Sequence, residues 1–125
     1  MEAMVSNFSG MGIDAGPIKK IAKRLGRKKW IVDISLVRKA KIEQLNTKYR
    51  KKNKPTDVLS FLMKEGRLLG DVIICPSVAK ANAKRSGTSL KQEIARLAAH
   101  GMLHLLGYKH GRKMFDRQER MATNA

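Results

Sequence analysis

Residues 89–110 read SLKQEIARLAAHGMLHLLGYKH, and this stretch decides the fold. Ser89 is a capping residue placed just before a run with helical spacing. At about 100° per residue, Ile94, Leu97, Ala98, Gly101 and Leu105 gather on one face. Gly107 stands where a helix-ending glycine belongs. The pattern predicts a helix over 90–106 whose apolar stripe has to be buried. His100 and His104 fall on the flank of that stripe, and Glu93 lies on the same line two turns earlier. A flank position anchors the backbone by packing while the side chain meets a cleft.

Upstream, the periodicity switches repeatedly. Trp30 to Val37 is rich in β-branched residues and reads as a strand. Arg38 to Tyr49 returns to helical spacing through Ala40, Ile42, Leu45 and Tyr49, and a basic loop follows over Arg50 to Pro55. Val58 to Leu62 and Leu68 to Cys75 read as strands of a hairpin with its turn at 64–67. Pro76 opens a helix to about Arg85, and Ser86-Gly87-Thr88-Ser89 breaks it. Nearer the start, Asp14 reads as the cap of a helix with Pro17 in its opening turn, Ile18, Ile21, Ala22 and Leu25 inward, and Gly26 at its end. Residues 1–13 fit either an edge strand or a loose arm. A last helix is expected over about 113–121. The predicted class is α+β, a small sheet covered by helices, in one domain spanning 1–125.

The net charge of +17 is unevenly placed. Residues 19–54 hold fifteen Lys and Arg against two acids, Asp33 and Glu43. Such a concentration favours a polyanionic partner, a nucleic acid above all. Aromatics make up only 5% of the chain, so phosphate contacts should outweigh extensive base stacking. Cys75 is the single cysteine, which excludes an internal disulfide and suits a reducing compartment. Neither a signal peptide nor a membrane-length apolar run is visible, and a cytoplasmic protein with no membrane partner is expected.

All three histidines lie within 100–110, spaced His-x3-His and then x5-His. In a helix the first two share a face about 6 Å apart, within reach of one tetrahedral ion. Gly107-Tyr108 can turn the chain and return His110 as a third ligand. Three neutral imidazoles with an open fourth position form the pattern of a catalytic zinc site, one Zn2+ ion held by His100, His104 and His110. The residue after His100 is Gly101, so the built-in glutamate base of the zinc-protease motif His-Glu-x-x-His is missing. Peptide hydrolysis thereby loses its carboxylate. A phosphodiester transition state gathers negative charge and needs a cation more than a base.

The segment His100-Gly101-Met102-Leu103-His104-Leu105-Leu106-Gly107-Tyr108-Lys109-His110 closely resembles the signature of the YbeY family of rRNA maturation factors. Two further blocks resemble it in order: Leu45-Asn46 through Tyr49-Arg50 with Pro55-Thr56-Asp57-Val58-Leu59-Ser60-Phe61, and Leu69-Gly70-Asp71-Val72-Ile73-Ile74. The matches span roughly 30–121. The resemblance implies a mixed sheet with helices on its faces. It implies a metal-dependent, single-strand-directed endoribonuclease that matures ribosomal RNA, notably the small-subunit 3′ end, and serves ribosome quality control. It implies His100, His104 and His110 as zinc ligands and Arg50 as an arginine important for activity. Its partners would be ribosomal RNA and the small ribosomal subunit. Lys109 stands where the family usually carries Asp, and Gly111-Arg112-Lys113 replaces an acidic stretch.

A guanidinium at Arg50 would grip phosphate through two parallel hydrogen bonds. Asp57 and Ser60 read as structural. Glu93 reads either as support for a ligand or as an ion-pair partner. The missing base and Lys109 also motivate an alternative, a non-catalytic zinc-containing RNA-binding factor of ribosome assembly.

Overall fold

A computed structural model describes residues 1–51, 56–109 and 111–123. The elements run β1 (Glu2–Asn7), α1 (Gly16–Arg24), β2 (Ile31–Leu36), α2 (Lys39–Arg50), β3 (Val58–Glu65), β4 (Leu68–Ile74), α3 (Pro76–Ser86), α4 (Leu90–Leu105) and α5 (Arg112–Thr123). The four strands form one mixed sheet in the order β1-β2-β4-β3. The first two pairings are parallel and the β3-β4 hairpin is antiparallel. The α+β class expected from the sequence is what the chain adopts.

Alternation along the strands explains the layers. Val32, Ile34 and Leu36 of β2 and Val72 and Ile74 of β4 point to one face, where they join Ile18 and Ile21 of α1 and Ile94, Ala98 and Met102 of α4 in the main core. The opposite face is covered at its β3 end by a smaller cluster of Val37, Ile42, Leu59 and Cys75, with Leu45 and Phe61 packed against it. Cys75 is thus a buried small apolar residue. Farther along that second face, Asp33 of β2 and Asp71 of β4 are direct neighbours across the parallel pair. Burial, and then the charge of Asp33, push the Asp71 carboxyl above its ordinary value.

Residues 2–7 are an edge strand, and Met1 and Ala3 reach the main core. Asp14 is not the cap of α1. It forms a local turn, its Oδ1 accepting from the Gly16 amide at 2.9 Å, and the cap position falls on Ala15. The hairpin turn is tighter than expected: β3 continues to Glu65, which pairs with Leu68, after an irregularity between Leu62 and Glu65. Lys64 takes a left-handed φ of 53° there. None of this disturbs the inward face.

Ser89 caps α4 as expected, its Oγ accepting from the Gln92 amide at 3.1 Å. Two glycines let α4 lie close on the sheet. A Cβ on Gly101 would stand 2.5 Å from Cγ1 and 2.9 Å from Cγ2 of Val72. A Cβ on Gly70 would meet the Phe61 carbonyl oxygen and the Leu105 side chain. Among the described residues, no helix is long and apolar enough to cross a membrane.

Candidate active site at the β3 edge

The site begins with how α4 ends. Gly107 has a φ of 95°, a left-handed conformation that suits glycine. Its amide donates to the His104 carbonyl, and the Tyr108 amide donates to the Leu103 carbonyl, each at 3.0 Å. This paired closure is the Schellman arrangement. It stops α4 at Leu105, one residue after His104, and turns the chain at Gly107-Tyr108, as the sequence suggested.

With Gly101 pressed on Val72, the adjacent flank of α4 overhangs β3. His100 and His104 open there into a cleft of about 400 Å³, lined also by Arg50, Thr56, Asp57, Ser60 and Phe61. The two imidazoles touch edge to face, with ring centroids 4.7 Å apart. Both are half-buried. Arg50, the last residue of α2, brings its exposed guanidinium to the same cleft. Three of the four expected site residues therefore converge, although some fifty positions separate Arg50 from the histidines. His110 lies outside the described residues. Among the described residues, no group of three or more metal-ligating side chains assembles.

Gln118 of α5 is the site residue that sequence reasoning missed. It is buried, and His100 Nδ1 and Gln118 Oε1 lie 2.8 Å apart. The amide oxygen accepts, so Nδ1 carries a ring proton and the orientation of the imidazole is set from α5. A signal existed in Met114 and Gln118, four residues apart on the inward face of an otherwise charged helix. Only the packing of α5 against α4 shows which side chain Gln118 meets.

That packing is braced by ions. Arg96 of α4 pairs with Glu93 at 2.8 Å and with Glu119 of α5 at 2.9 Å. Glu93 is thus an ion-pair partner, which decides between its two readings. Asp57 accepts from the Asn82 side chain at 3.2 Å, and its carbonyl accepts from the Cys75 amide at 2.9 Å. It fastens the start of β3 to α3 and β4, the structural role expected.

Among the described residues, the basic side chains do not form one patch. Lys19, Lys20, Lys23 and Arg24 are exposed on α1, which packs on α4 and on β1 at the far edge of the sheet. Lys48, Arg50 and Lys51 end α2 at the β3 edge, beside the cleft. Adjacency in sequence is undone by the crossover through β2.

With this geometry in place, comparison with known proteins is informative. A family model described as "Endoribonuclease YbeY" matches residues 16–125. A relative from Staphylococcus carnosus (strain TM300), named "Endoribonuclease YbeY", is 41% identical over 108 aligned residues, covering 74% of this chain and 71% of that protein. One of the same name from Sulfurihydrogenibium sp. (strain YO3AOP1) is 42% identical over 114, covering 82% and 75%. The solution structure of a Thermotoga maritima protein superposes with a TM-score of 0.65 at 27% identity, covering 95% of this chain and 87% of that one.

Proposed function

The chain belongs to the endoribonuclease YbeY family, and from that premise we propose that its β3-edge cleft hydrolyses phosphodiester bonds of single-stranded RNA during ribosomal RNA maturation. The chain is a nuclease, hence a hydrolase, of a metal-dependent family. The observation that carries the reading is the convergence of Arg50 with His100 and His104 on one polar cleft. A phosphate there meets a fixed cation on one wall and two imidazoles on the other.

The metal of this reading is one zinc ion held by His100, His104 and His110. The donors that are described fit it. Two imidazoles are in ring contact, and Gln118 orients the His100 ring through Nδ1. When bound, zinc supplies Lewis acidity and acidifies water.

The chain's own residues do the remaining work. Arg50 binds a non-bridging phosphate oxygen pair and offsets the charge that develops on phosphorus. Gln118 holds the imidazole of His100 in one tautomer and orientation. Gly101 excludes a carboxylate beside His100, because α4 lies too close to Val72 there for any side chain. Position 101 therefore supplies no carboxylate base, and the carboxylate that does line the cleft, Asp57, is engaged by Asn82.

Small-subunit rRNA, its 3′ end above all, is the proposed substrate, and the small ribosomal subunit the proposed partner. The exposed cations at the end of α2 support an RNA that enters from that side. A cytoplasmic setting is proposed with it, and a lone, buried Cys75 suits that setting.

The test is cleavage of a single-stranded RNA by zinc-loaded protein and by two variants. His104→Ala should abolish cleavage. Arg50→Ala should lower kcat/KM by about a hundredfold with an unchanged Tm, since Arg50 is exposed. Full activity in a nuclease-free His104→Ala preparation would refute the reading. Stoichiometric RNA binding without turnover in the unaltered protein would favour the non-catalytic assembly factor.

A further inference from the structure

Tyr49 immediately precedes Arg50 at the end of α2. It is 56% exposed although large and mostly apolar. Its ring meets that of Phe61 on β3 at 5.1 Å, with 61° between the planes. Phe61 itself lines the cleft that holds Arg50, His100 and His104. Lys48 Nζ lies 5.2 Å from the Tyr49 ring centroid. Two of the six aromatic side chains of a chain poor in aromatics thus meet where α2 ends against β3, Phe61 lining the cleft and Tyr49 next in sequence to its Arg50. Tyr49 is flanked in sequence by two cations, Lys48 and Arg50.

This is the composition of a base-stacking platform with a phosphate clamp. An aromatic face is useful to single-stranded RNA, whose bases are free to leave their stack, and useless to a duplex, whose bases are already paired and stacked. We propose that Tyr49, supported edge-on by Phe61, stacks a nucleobase next to the phosphate held by Arg50, and that this contact makes the cleft prefer unpaired RNA. The inference rests on the nuclease reading for the identity of that phosphate. Backbone cations fix where the strand lies, and the aromatic pair adds an attraction that any base satisfies but a bare sugar-phosphate does not. The preference is accordingly for single-strandedness and not for a particular base.

The test compares a mixed-sequence single-stranded RNA decamer with a decamer of the same length made wholly of abasic nucleotides. Both binding, read by fluorescence anisotropy, and cleavage are measured for the unaltered zinc-loaded protein and for Tyr49→Leu, Tyr49→Phe and Tyr49→Trp. The unaltered protein should bind the base-bearing decamer more tightly than the abasic one. Tyr49→Leu should reduce that ratio by about tenfold, while Tyr49→Phe and Tyr49→Trp preserve it. A purely structural role for Tyr49 would weaken both decamers alike and leave the ratio unmoved, which would overturn the proposal. Because the ratio is read from binding, it stands apart from catalysis. Loss of the ratio in Tyr49→Leu with no cleavage by the unaltered protein would support the platform and refute the nuclease reading.

Discussion

The side-chain oxygen of Gln118 on α5 lies 2.8 Å from Nδ1 of His100 on α4, with Gln118 buried and His100 half-buried between the two helices. The contact crosses from the last element of the fold to the helix that carries the histidines. Glu119, next along α5, is held by Arg96 of α4, so the position of Gln118 is itself fixed. In the proposed zinc site this neutral amide takes the place that a carboxylate holds beside many metal-bound histidines. It matters the more in a chain whose residue 109 is Lys.

Gln118→Leu should therefore weaken zinc binding by about ten- to a hundredfold, measured by competition with a chromophoric chelator. Gln118→Glu retains an acceptor and should bind zinc at least as tightly as the unaltered protein. A structural effect would appear in Tm for both variants without separating their zinc affinities. Equal affinity in Gln118→Leu and the unaltered protein would show that His100 needs no such partner.

Gly101 and Val72 should be energetically coupled. Val72 is β-branched and buried, so it cannot swing away from a new methyl group 2.5 Å distant. Gly101→Ala should cost about 1–3 kcal/mol through overpacking, offset by up to about 1 kcal/mol of helix propensity. In Val72→Ala the space exists, and Gly101→Ala should then be close to neutral. Urea unfolding of the four proteins closes the cycle. Strict additivity of the two substitutions would mean that α4 does not rest on the sheet at this point.

Asp71 should make stability fall with rising pH. Burial and then the Asp33 charge raise its pKa in the folded chain above the ordinary 3.8. The native state thus holds this proton more tightly than the unfolded chain, and it is penalised once pH exceeds the unfolded value. The penalty grows until pH passes the folded value and is constant above it. Asp71→Asn should accordingly stabilise the protein more at pH 7.5 than at pH 4.5, by urea midpoints at each pH. Asp33→Asn should give a smaller gain in the same direction, because it removes only the lesser cause. Identical gains at the two pH values would rule out a raised Asp71.

Much of this fold was legible before any coordinates. The cap at Ser89, the stripe along α4 and the stop at Gly107 all act within a few residues, and local sequence specifies such features directly. The strands β2 and β4 were visible because buried parallel strands read as continuous β-branched runs. The edge strand β1 was legible only as one of two readings, strand or arm, because just Ala3 and Val5 turn inward and the apolar Met4 between them is exposed. The cap of α1 was displaced by one residue because Asp14 uses its side chain in a turn of its own.

What the sequence by itself determined is the set of groups available for chemistry: two imidazoles one helical turn apart, a third six residues on, an arginine in a basic run, and a glycine where a protease would carry glutamate. Those follow from spacing along one chain. The tertiary structure decided which groups meet. It brought Arg50 to His100 and His104, left the α1 lysines at the opposite edge of the sheet, and set Gln118 against His100. It also supplied the reason for Gly101, a helix lying on Val72 too closely for any side chain. Each of these joins residues distant in sequence across a packed interface, and packing complementarity leaves no periodic trace along a single chain.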